Sequence, residues 1–333
     1  MKKFINEVDD FILESLNGLA QAHPNLVSVN LDPMYVIRKD IVNKKVVLIS
    51  GGGSGHEPLH SGFVGHGMLD IACPGHVFTS PTPDQMIAAL EAYQPEKGVL
   101  FIVKNYSGDV MNFEMAAEMT SYENKSLIIN DDAAVINSSY TTGKRGVAGT
   151  VIIEKVLGSL AETGANLDQC LALGQRVNNT LSTMGIAFTS CTVPAAGKPT
   201  FDIGDDEVEV GVGIHGEPGR RREKIKKAHL MVDDMIDAIL ADLKEKYVQT
   251  NNSEVLLLVN GYAGTPLSEL YLLFDVAAKN LKARDIKIAR SLVGNYTTAL
   301  DMTGASLTLC VLDDEIKNHW DAPVLTPALR WGM

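Results

Sequence analysis

Short apolar runs that end in glycine-rich turns recur along this chain, and helical patterns separate them. Residues 45–50 lead directly into Gly-Gly-Gly-Ser-Gly-His-Glu-Pro at 51–58, and residues 98–104 (GVLFIVK) lead into Asn-Tyr-Ser-Gly-Asp at 105–109. A long helical pattern follows at 151–162. Strands that alternate with helices along a whole sequence are typical of α/β proteins. We therefore predict an α/β fold built on central β-sheets flanked by helices.

The length of 333 residues is sufficient for two hydrophobic cores, at about 150 residues per domain. Helical patterns give way near Ala187 to the stretch 190–206, which contains two prolines and two glycines and reads as a loop. Beyond it, the pattern predicts a strand at 208–214 and a helix at 223–246. We therefore expect two α/β domains, residues 1–185 and residues 186–333.

The chain is acidic, with a formal net charge of −12. Proteins that bind nucleic acid or anionic membranes need an excess of Lys and Arg to neutralise phosphate, so the composition argues against direct binding to either. One basic run, residues 220–227, follows a glycine-rich turn and is expected to begin a helix. We interpret it as a solvated helix face rather than a docking patch for an acidic partner.

The segment after Met1 and the four cysteines both indicate a cytoplasmic protein. Acidic side chains interrupt the first apolar segment, so it lacks the apolar core of a secretory signal, and no window approaches 18 apolar residues. The cysteines lie far apart without a Cys-x-x-Cys pair: Cys73, Cys170, Cys191 and Cys310. Neither a zinc site nor a disulfide framework is predicted, and we interpret the cysteines as small core residues.

Three predicted strand ends carry side chains suited to chemistry. His56 and His215 each stand in a glycine-rich His-Glu-Pro or His-Gly-Glu-Pro turn, while Lys104 and Asp109 bound a third turn. Ligands of open α/β sheets bind at strand ends, so the two histidine turns suggest one site, although a lone histidine more often caps a turn. Two interpretations of Asp109 stay open: a base for a substrate hydroxyl, or the N-cap of a helix at 110–123.

The triple glycine lacks the spacing of a nucleotide-binding loop. It has neither Gly-x-x-x-x-Gly-Lys-Ser/Thr nor Gly-x-Gly-x-x-Gly, which disfavours a dinucleotide oxidoreductase. Glycines instead allow the backbone to approach a very small polar ligand. A neutral imidazole is a nucleophile toward a carbonyl carbon, so a three-carbon carbonyl compound would suit such a site.

Five motifs in order resemble the dihydroxyacetone-binding subunit of dihydroxyacetone kinases, and the similarity runs essentially from end to end. They are GGGSGHEP at 51–58, FTSPTPD at 78–84, KNYSGD at 104–109, CTVP at 191–194 and GIHGEPG at 213–219. The resemblance implies a two-domain homodimer in which His215 forms a reversible hemiaminal with the ketone carbon of dihydroxyacetone. It also implies that His56 hydrogen-bonds the former carbonyl oxygen and assists proton transfer, and that Asp109 is the base. Three further residues are implied to line the pocket: Gly53, Ser54 and Lys104.

The resemblance implies no cofactor and no metal in this chain. A nucleotide-bearing kinase subunit would carry ADP or ATP with magnesium, recharged by a phosphotransferase-system protein fed by phosphoenolpyruvate. Some paralogues bind dihydroxyacetone but act as transcriptional coactivators that pair with a regulator of the TetR type.

Three positions depart from the family pattern. Tyr262 and Ala263 replace the usual Leu-Gly, His76 stands at a usually acidic position, and residues 136–139 lack the usual Asp-Ser pair. Loss of a glycine or an acidic residue changes turn geometry and surface charge, which bears on partner docking. None of these positions belongs to the proposed site. We therefore predict that the protein is a kinase subunit, with the transcriptional coactivator as the alternative function.

Overall fold

A computed structural model describes residues 2–134 and 142–333, and the strands within these ranges form two six-stranded sheets and a short two-stranded one. The chain divides into two compact units. The first consists of Met1–Ile129, Ile152–Gln175 and Asn318–Met333, and the second of Asn130–Val151 and Arg176–Lys317. Each unit contains one six-stranded sheet with helices packed on it, which confirms the predicted fold class.

The sheet of the first unit has the strand order β1-β2-β4-β3-β5-β6. Strands β4, β3, β5 and β6 run parallel, while β1 and β2 form an antiparallel pair at one edge. Parallel strands are covered on both faces, which explains the continuous apolar runs that predicted β3 and β5. The six strands are Val27–Leu31 (β1), Met34–Arg38 (β2), Val47–Ser54 (β3), Ile71–Val77 (β4), Val99–Lys104 (β5) and Asn124–Ile129 (β6).

Helices α1 (Phe11–Ala22), α2 (Pro83–Tyr93) and α3 (Ser107–Met119) belong to the same unit. A threonine followed by proline predicts a helix start, with Thr82 as the cap and Pro83 in the first helical position. The structure confirms it: Thr82 and Gln85 form a capping box at the start of α2, and Pro83 takes its first position.

The methionines of α3 do not lie on its buried face. Met111, Met115 and Met119 recur every four residues, a spacing that predicts a core stripe, but they are between 46% and 64% exposed, so that prediction is wrong. Phe113 and Ala116 form the buried face of α3 instead, and Phe113 packs edge-to-face on Phe101 of β5. The spacing of four residues is helical, but it marks the solvent side of this helix.

The sheet of the second unit has the order β11-β10-β12-β7-β8-β9, and only β10 and β11 pair in parallel. Its core is formed by apolar residues of β7, β8, β10 and β12 with helices α6 and α7. The elements are Leu181–Ala187 (β7), Glu207–Val210 (β8), Arg221–Lys224 (β9), Ala228–Glu245 (α6), Glu254–Gly261 (β10), Leu267–Ala283 (α7), Lys287–Gly294 (β11) and Gly304–Val311 (β12).

Two local predictions in this unit are wrong. The strand expected at 208–214 ends at Val210, because Gly211 has a positive φ of 84° and turns the chain out of the sheet. The basic run does not begin a helix: Arg221–Lys224 is edge strand β9, paired with β8, and the helix begins only at Ala228. Charged side chains, Lys in particular, are common on exposed edge strands, which explains the basic composition without a helix.

The expected boundary near residue 185 lies inside β7, so it does not separate the two units. The loop-like stretch 190–206 connects β7 to β8, which pair in one sheet, and it is therefore an internal connection of the second unit. The chain changes unit four times: directly after β6, and within helices α4 (Gly149–Glu162), α5 (Leu167–Thr180) and α8 (Asp314–Asp321). The short strands β13 (Val324–Leu325) and β14 (Arg330–Trp331) follow.

Among the residues that the structure describes, no helix combines the length and the apolar character needed to cross a bilayer. The four cysteines are buried and reduced, as expected of core residues. Residues 136–139, one of the three departures from the family pattern, lie outside the described residues.

Candidate functional site

Parallel pairing brings the glycine-rich turn and Lys104 to one edge of the first unit's sheet. Ser50 of β3 lies opposite Ile102 of β5, so the carboxyl ends of these two strands are neighbours. Helix α3 begins three residues after Lys104 and holds Asp109 in its first turn. The N-cap is Tyr106, so the capping interpretation of Asp109 is wrong and its buried carboxylate is available for another role.

Lys104 is 1% exposed, and its ammonium is surrounded by polar groups. It donates to the Gly51 carbonyl oxygen at 3.1 Å and lies 3.7 Å from Asp109 Oδ2. A Cβ at Gly52 would collide with the ammonium, so glycine is needed there for this approach. Burial lowers the pKa of Lys104, and the attraction of Asp109 and Glu154 acts in the opposite direction.

His60 connects Lys104 to a second carboxylate. Lys104 Nζ lies 2.8 Å from His60 Nε2, and His60 Nδ1 lies 2.6 Å from Glu154 Oε1. A protonated ammonium can only donate, so Nε2 accepts and the proton of the neutral ring is on Nδ1, directed at Glu154. Burial lowers the pKa of His60 well below its usual value, and the positive charge of Lys104 acts in the same direction.

His56, Gly53 and Ser54 lie in or next to the same turn. The ring of His56 stacks on Phe78, with centroids 5.1 Å apart and planes 17° apart. Ser54 Oγ donates to the Gly75 carbonyl oxygen of β4 at 2.7 Å, which fixes the end of β3. A Cβ at Gly53 would stand 2.6 Å from the Thr79 nitrogen, so only glycine fits against this segment.

In the second unit, the loop after β8 orients His215. His215 Nδ1 lies 2.8 Å from Glu217 Oε1, and the His215 backbone N–H donates to Glu217 Oε2 at 2.9 Å. The carboxylate therefore holds both the ring and the backbone of the same residue. A proton on Nδ1 leaves Nε2 as the ring nitrogen with the lone pair, which is the nucleophilic tautomer.

A buried arginine supports Glu217. Arg145 is fully buried; its Nε donates to Asp132 at 2.6 Å and its Nη2 donates to the Gly211 carbonyl oxygen at 2.8 Å. Burial acts to raise the pKa of Glu217. The positive charge of the His215 ring when it is protonated, the hydrogen bond to that ring and the charge of Arg145 outweigh burial and set that pKa at about 2. Glu217 is therefore ionised at neutral pH.

Five of the six predicted site residues lie in the first unit, and His215 lies in the second. Sequence reasoning missed four side chains that contact them or their partners: His60, Glu154, Glu217 and Arg145. Glu217 lies in the second histidine turn and His60 lies two residues after the first, so a search for further polar groups in and next to each turn could have found them. Glu154 and Arg145 are distant in sequence and had no local signal.

Within the described ranges, no group of three or more His, Cys, Asp or Glu side chains is arranged to hold a metal ion. The described side chains offer two kinds of chemistry: an oriented neutral imidazole at His215, and at Asp109 a buried carboxylate next to the Lys104 ammonium. The first suits attack on a carbonyl carbon, and the second suits removal of a proton from a hydroxyl.

The chain is similar to known proteins over nearly its full length. The family described as the Dak1 domain matches residues 17–328. The PEP-dependent dihydroxyacetone kinase, dihydroxyacetone-binding subunit DhaK, of Escherichia coli (strain K12) is 47% identical over 356 residues, which cover 100% of both chains. The corresponding subunit DhaK of a PTS-dependent dihydroxyacetone kinase 1 of Listeria innocua is 44% identical over 318 residues and 95% of each chain.

One similar solved structure is named as a co-activator and not as a kinase subunit. The dihydroxyacetone kinase operon co-activator Dha-DhaQ superposes with a TM-score of 0.88 at 32% identity, covering 97% of this chain and 98% of its own. Both kinds of relative match nearly the full length. With the family match over residues 17–328 and identities well above 30%, this chain belongs to the Dak1 domain family.

Proposed function

We propose that this chain is the dihydroxyacetone-binding subunit of a phosphotransferase-system-dependent dihydroxyacetone kinase, which holds the ketone as a hemiaminal on His215. The observation that carries the proposal is the His215–Glu217 pair, in which a buried carboxylate fixes the imidazole in its nucleophilic tautomer. The kinase subunits of E. coli and L. innocua, at 47% and 44% identity, support the same reading.

In the proposed capture step, the lone pair of His215 Nε2 attacks the central carbon of dihydroxyacetone. The carbon–oxygen π electrons move to oxygen, which His56 hydrogen-bonds and helps to protonate. The ring becomes an imidazolium, which the Glu217 carboxylate stabilises. Its Nδ1 proton is then released through Glu217 to solvent, and solvent replaces the proton that the oxygen received from His56, so the hemiaminal is neutral and no proton is gained or lost overall. Glycerol has no carbonyl carbon to attack, so this bond selects the ketone without a steric filter.

In the proposed phosphoryl step, Asp109 takes the proton of a terminal hydroxyl as that oxygen attacks phosphorus. The phosphorus–oxygen bond to the nucleotide breaks, and ADP leaves on the partner subunit that holds ATP and magnesium. Lys104, Gly53 and Ser54 line the pocket in this scheme. A homodimer, a cytoplasmic location and recharging from phosphoenolpyruvate complete the proposal, and they rest on the family resemblance.

The capture step is tested with dihydroxyacetone labelled with carbon-13 at its central carbon. We expect a tetrahedral signal in the bound fraction of the wild-type protein and its loss in His215→Ala. The hydrate of the free compound is also tetrahedral, but it is the same for both proteins and is subtracted. A bound carbon that stays trigonal in the wild-type protein would overturn the proposal.

The phosphoryl step is tested with the nucleotide-bearing subunit, ATP and dihydroxyacetone. We expect Asp109→Asn to keep the carbon-13 capture signal and to lose at least 100-fold in formation of dihydroxyacetone phosphate. Unchanged turnover in this variant would contradict the role of Asp109 as base.

The coactivator function is the alternative, favoured by the match to Dha-DhaQ over nearly the full length. The identity of 32% to that protein is lower than the 47% to the E. coli kinase subunit, which is why the kinase comes first. Capture of dihydroxyacetone without turnover, together with co-purification of a TetR-type regulator, would establish the alternative.

A further inference from the structure

Two buried ionisable residues of the first unit have no part in the function proposed above. His60 is 6% exposed and Glu154 is completely buried. They continue the polar contacts of Lys104 away from Asp109, with successive separations of 2.8 Å from Lys104 to His60 and 2.6 Å from His60 to Glu154. The four side chains thus form a continuous buried row from Asp109 through Lys104 and His60 to Glu154.

The Lys104 ammonium requires a second counter-charge in addition to Asp109. A buried ammonium is stable only with a counter-charge nearby. When Asp109 takes the proton of a substrate hydroxyl it becomes neutral, and Lys104 would then lose that counter-charge. Burial raises the pKa of Glu154 well above its usual value, and the positive charge of Lys104 acts in the opposite direction. Glu154 is not a base in the reaction, so the interaction of its carboxylate with Lys104 through the polarised ring of His60 persists through the step.

We propose that His60 and Glu154 are positioning residues that hold the Lys104 ammonium beside Asp109 and supply its lasting counter-charge. The inference rests on the proposed function, because Asp109 must act as the base. His60 keeps one proton on Nδ1 throughout, and no proton leaves the row. The only transfer is from the substrate hydroxyl to Asp109.

The groups that act electrostatically on Lys104 and His60 define the expected pH dependence. Asp109 and Glu154 favour the charged form of Lys104, while burial opposes it; Lys104 and His56 act on His60. Removal of the Glu154 charge therefore lowers the pKa of Lys104 further. Activity that requires the ammonium is then lost at a lower pH than in the wild-type protein.

The test is the pH profile of kcat/KM for Glu154→Gln, measured with the nucleotide-bearing subunit, ATP and dihydroxyacetone. The glutamine oxygen can still accept from His60 Nδ1, so the change removes mainly charge. We expect the basic limb of the profile to move down by about one pH unit, and kcat to fall more than capture measured by carbon-13. Glu154→Asp retains the charge and is expected to restore the basic limb.

Glu162→Gln is the matched control, because Glu162 lies on the same helix α4 and pairs with a cation outside the row, Arg38, at 2.5 Å. It is expected to cost stability without moving the basic limb. His60→Leu removes the bridge and is expected to reduce kcat at least 10-fold while it keeps capture. If Glu154→Gln is too unstable to purify, this variant and Glu154→Asp carry the test.

The outcomes separate this inference from the proposed function. A basic limb that stays in place in Glu154→Gln, or that moves equally in Glu162→Gln, overturns the positioning role. If that happens while Asp109→Asn still loses turnover, only this inference fails. Undiminished turnover in Asp109→Asn, or no turnover by the wild-type protein, overturns the proposed kinase function and the inference with it.

Discussion

Glu217→Gln is the substitution that most directly tests how the second unit prepares its histidine. The buried carboxylate of Glu217 accepts hydrogen bonds from both the ring and the backbone of His215. A glutamine has the same shape and its oxygen can still accept the Nδ1–H bond. Its amide nitrogen cannot accept the backbone N–H bond, and it has no charge to stabilise an imidazolium. We therefore expect weaker capture of dihydroxyacetone with little change in the position of the ring.

The structure sets the size of this effect. A pKa of about 2 for Glu217, against an ordinary 4.5, corresponds to about 3 kcal/mol of preference for the carboxylate over the acid. His215 supplies the larger of the opposing attractions and Arg145 the smaller. A hydrogen bond to a charged group contributes about 1.5–3 kcal/mol. The substitution should therefore weaken capture by about 10- to 100-fold.

Titration of each variant with carbon-13 dihydroxyacetone measures the loss as a change in the concentration that gives half of the bound tetrahedral signal. The matched control is Glu209→Gln, because Glu209 is also 6% exposed but accepts from Gly219 N–H at 2.9 Å instead of contacting His215. The control should capture the ketone like the wild-type protein. Equal affinity in Glu217→Gln and the wild type would refute the reasoning.

Three further outcomes are expected. In the folded protein Glu217 has a pKa below its unfolded value, so the stability that it contributes is complete above about pH 5 and is lost as the pH falls toward 2. The free energy of unfolding in urea should therefore decrease from pH 6 to pH 3, and it should decrease less in Glu217→Gln than in the wild-type protein. Equal decreases would contradict this prediction. Gly52→Ala places a methyl group against the Lys104 ammonium and should reduce turnover at least 10-fold while capture is retained; wild-type turnover would show that Lys104 can shift without consequence. Ala263 has a positive φ of 89°, so Ala263→Gly should raise the free energy of unfolding by about 1 kcal/mol, and a lower urea midpoint would count against strain at this turn.

The sequence pattern correctly predicted those helices and strands that are determined by residues close together in the chain. The capping box at Thr82 and the buried parallel strands β3 and β5 follow from neighbouring residues, and the structure contains them. Strand β4 was missed because Pro74 and Gly75 interrupt its apolar run. The pairing of β4 with β2 has already ended at Ala72, so a residue without an N–H is tolerated at 74. The local sequence of β4 does not indicate where its pairing with β2 ends.

The sequence also did not predict which face of an element is buried. The methionines of α3 have a regular helical spacing, but spacing does not determine which face of the helix the sheet will cover. Phe113 and Ala116 occupy the covered face of α3, so the methionines are exposed. Tertiary packing made this choice, since both faces of α3 carry apolar residues.

The chain by itself determined the α/β class, the glycine turns that allow close approach, and the identity of the histidines and the aspartate that the proposed chemistry uses. Only the tertiary structure decided their chemical state. His60 and Glu154 are 94 residues apart in sequence, yet they share a hydrogen bond that sets the tautomer of the ring. Arg145 likewise reaches Glu217 from a distant segment. Protonation and orientation depend on charge and burial within a few ångströms, and folding alone brings such distant residues to that distance.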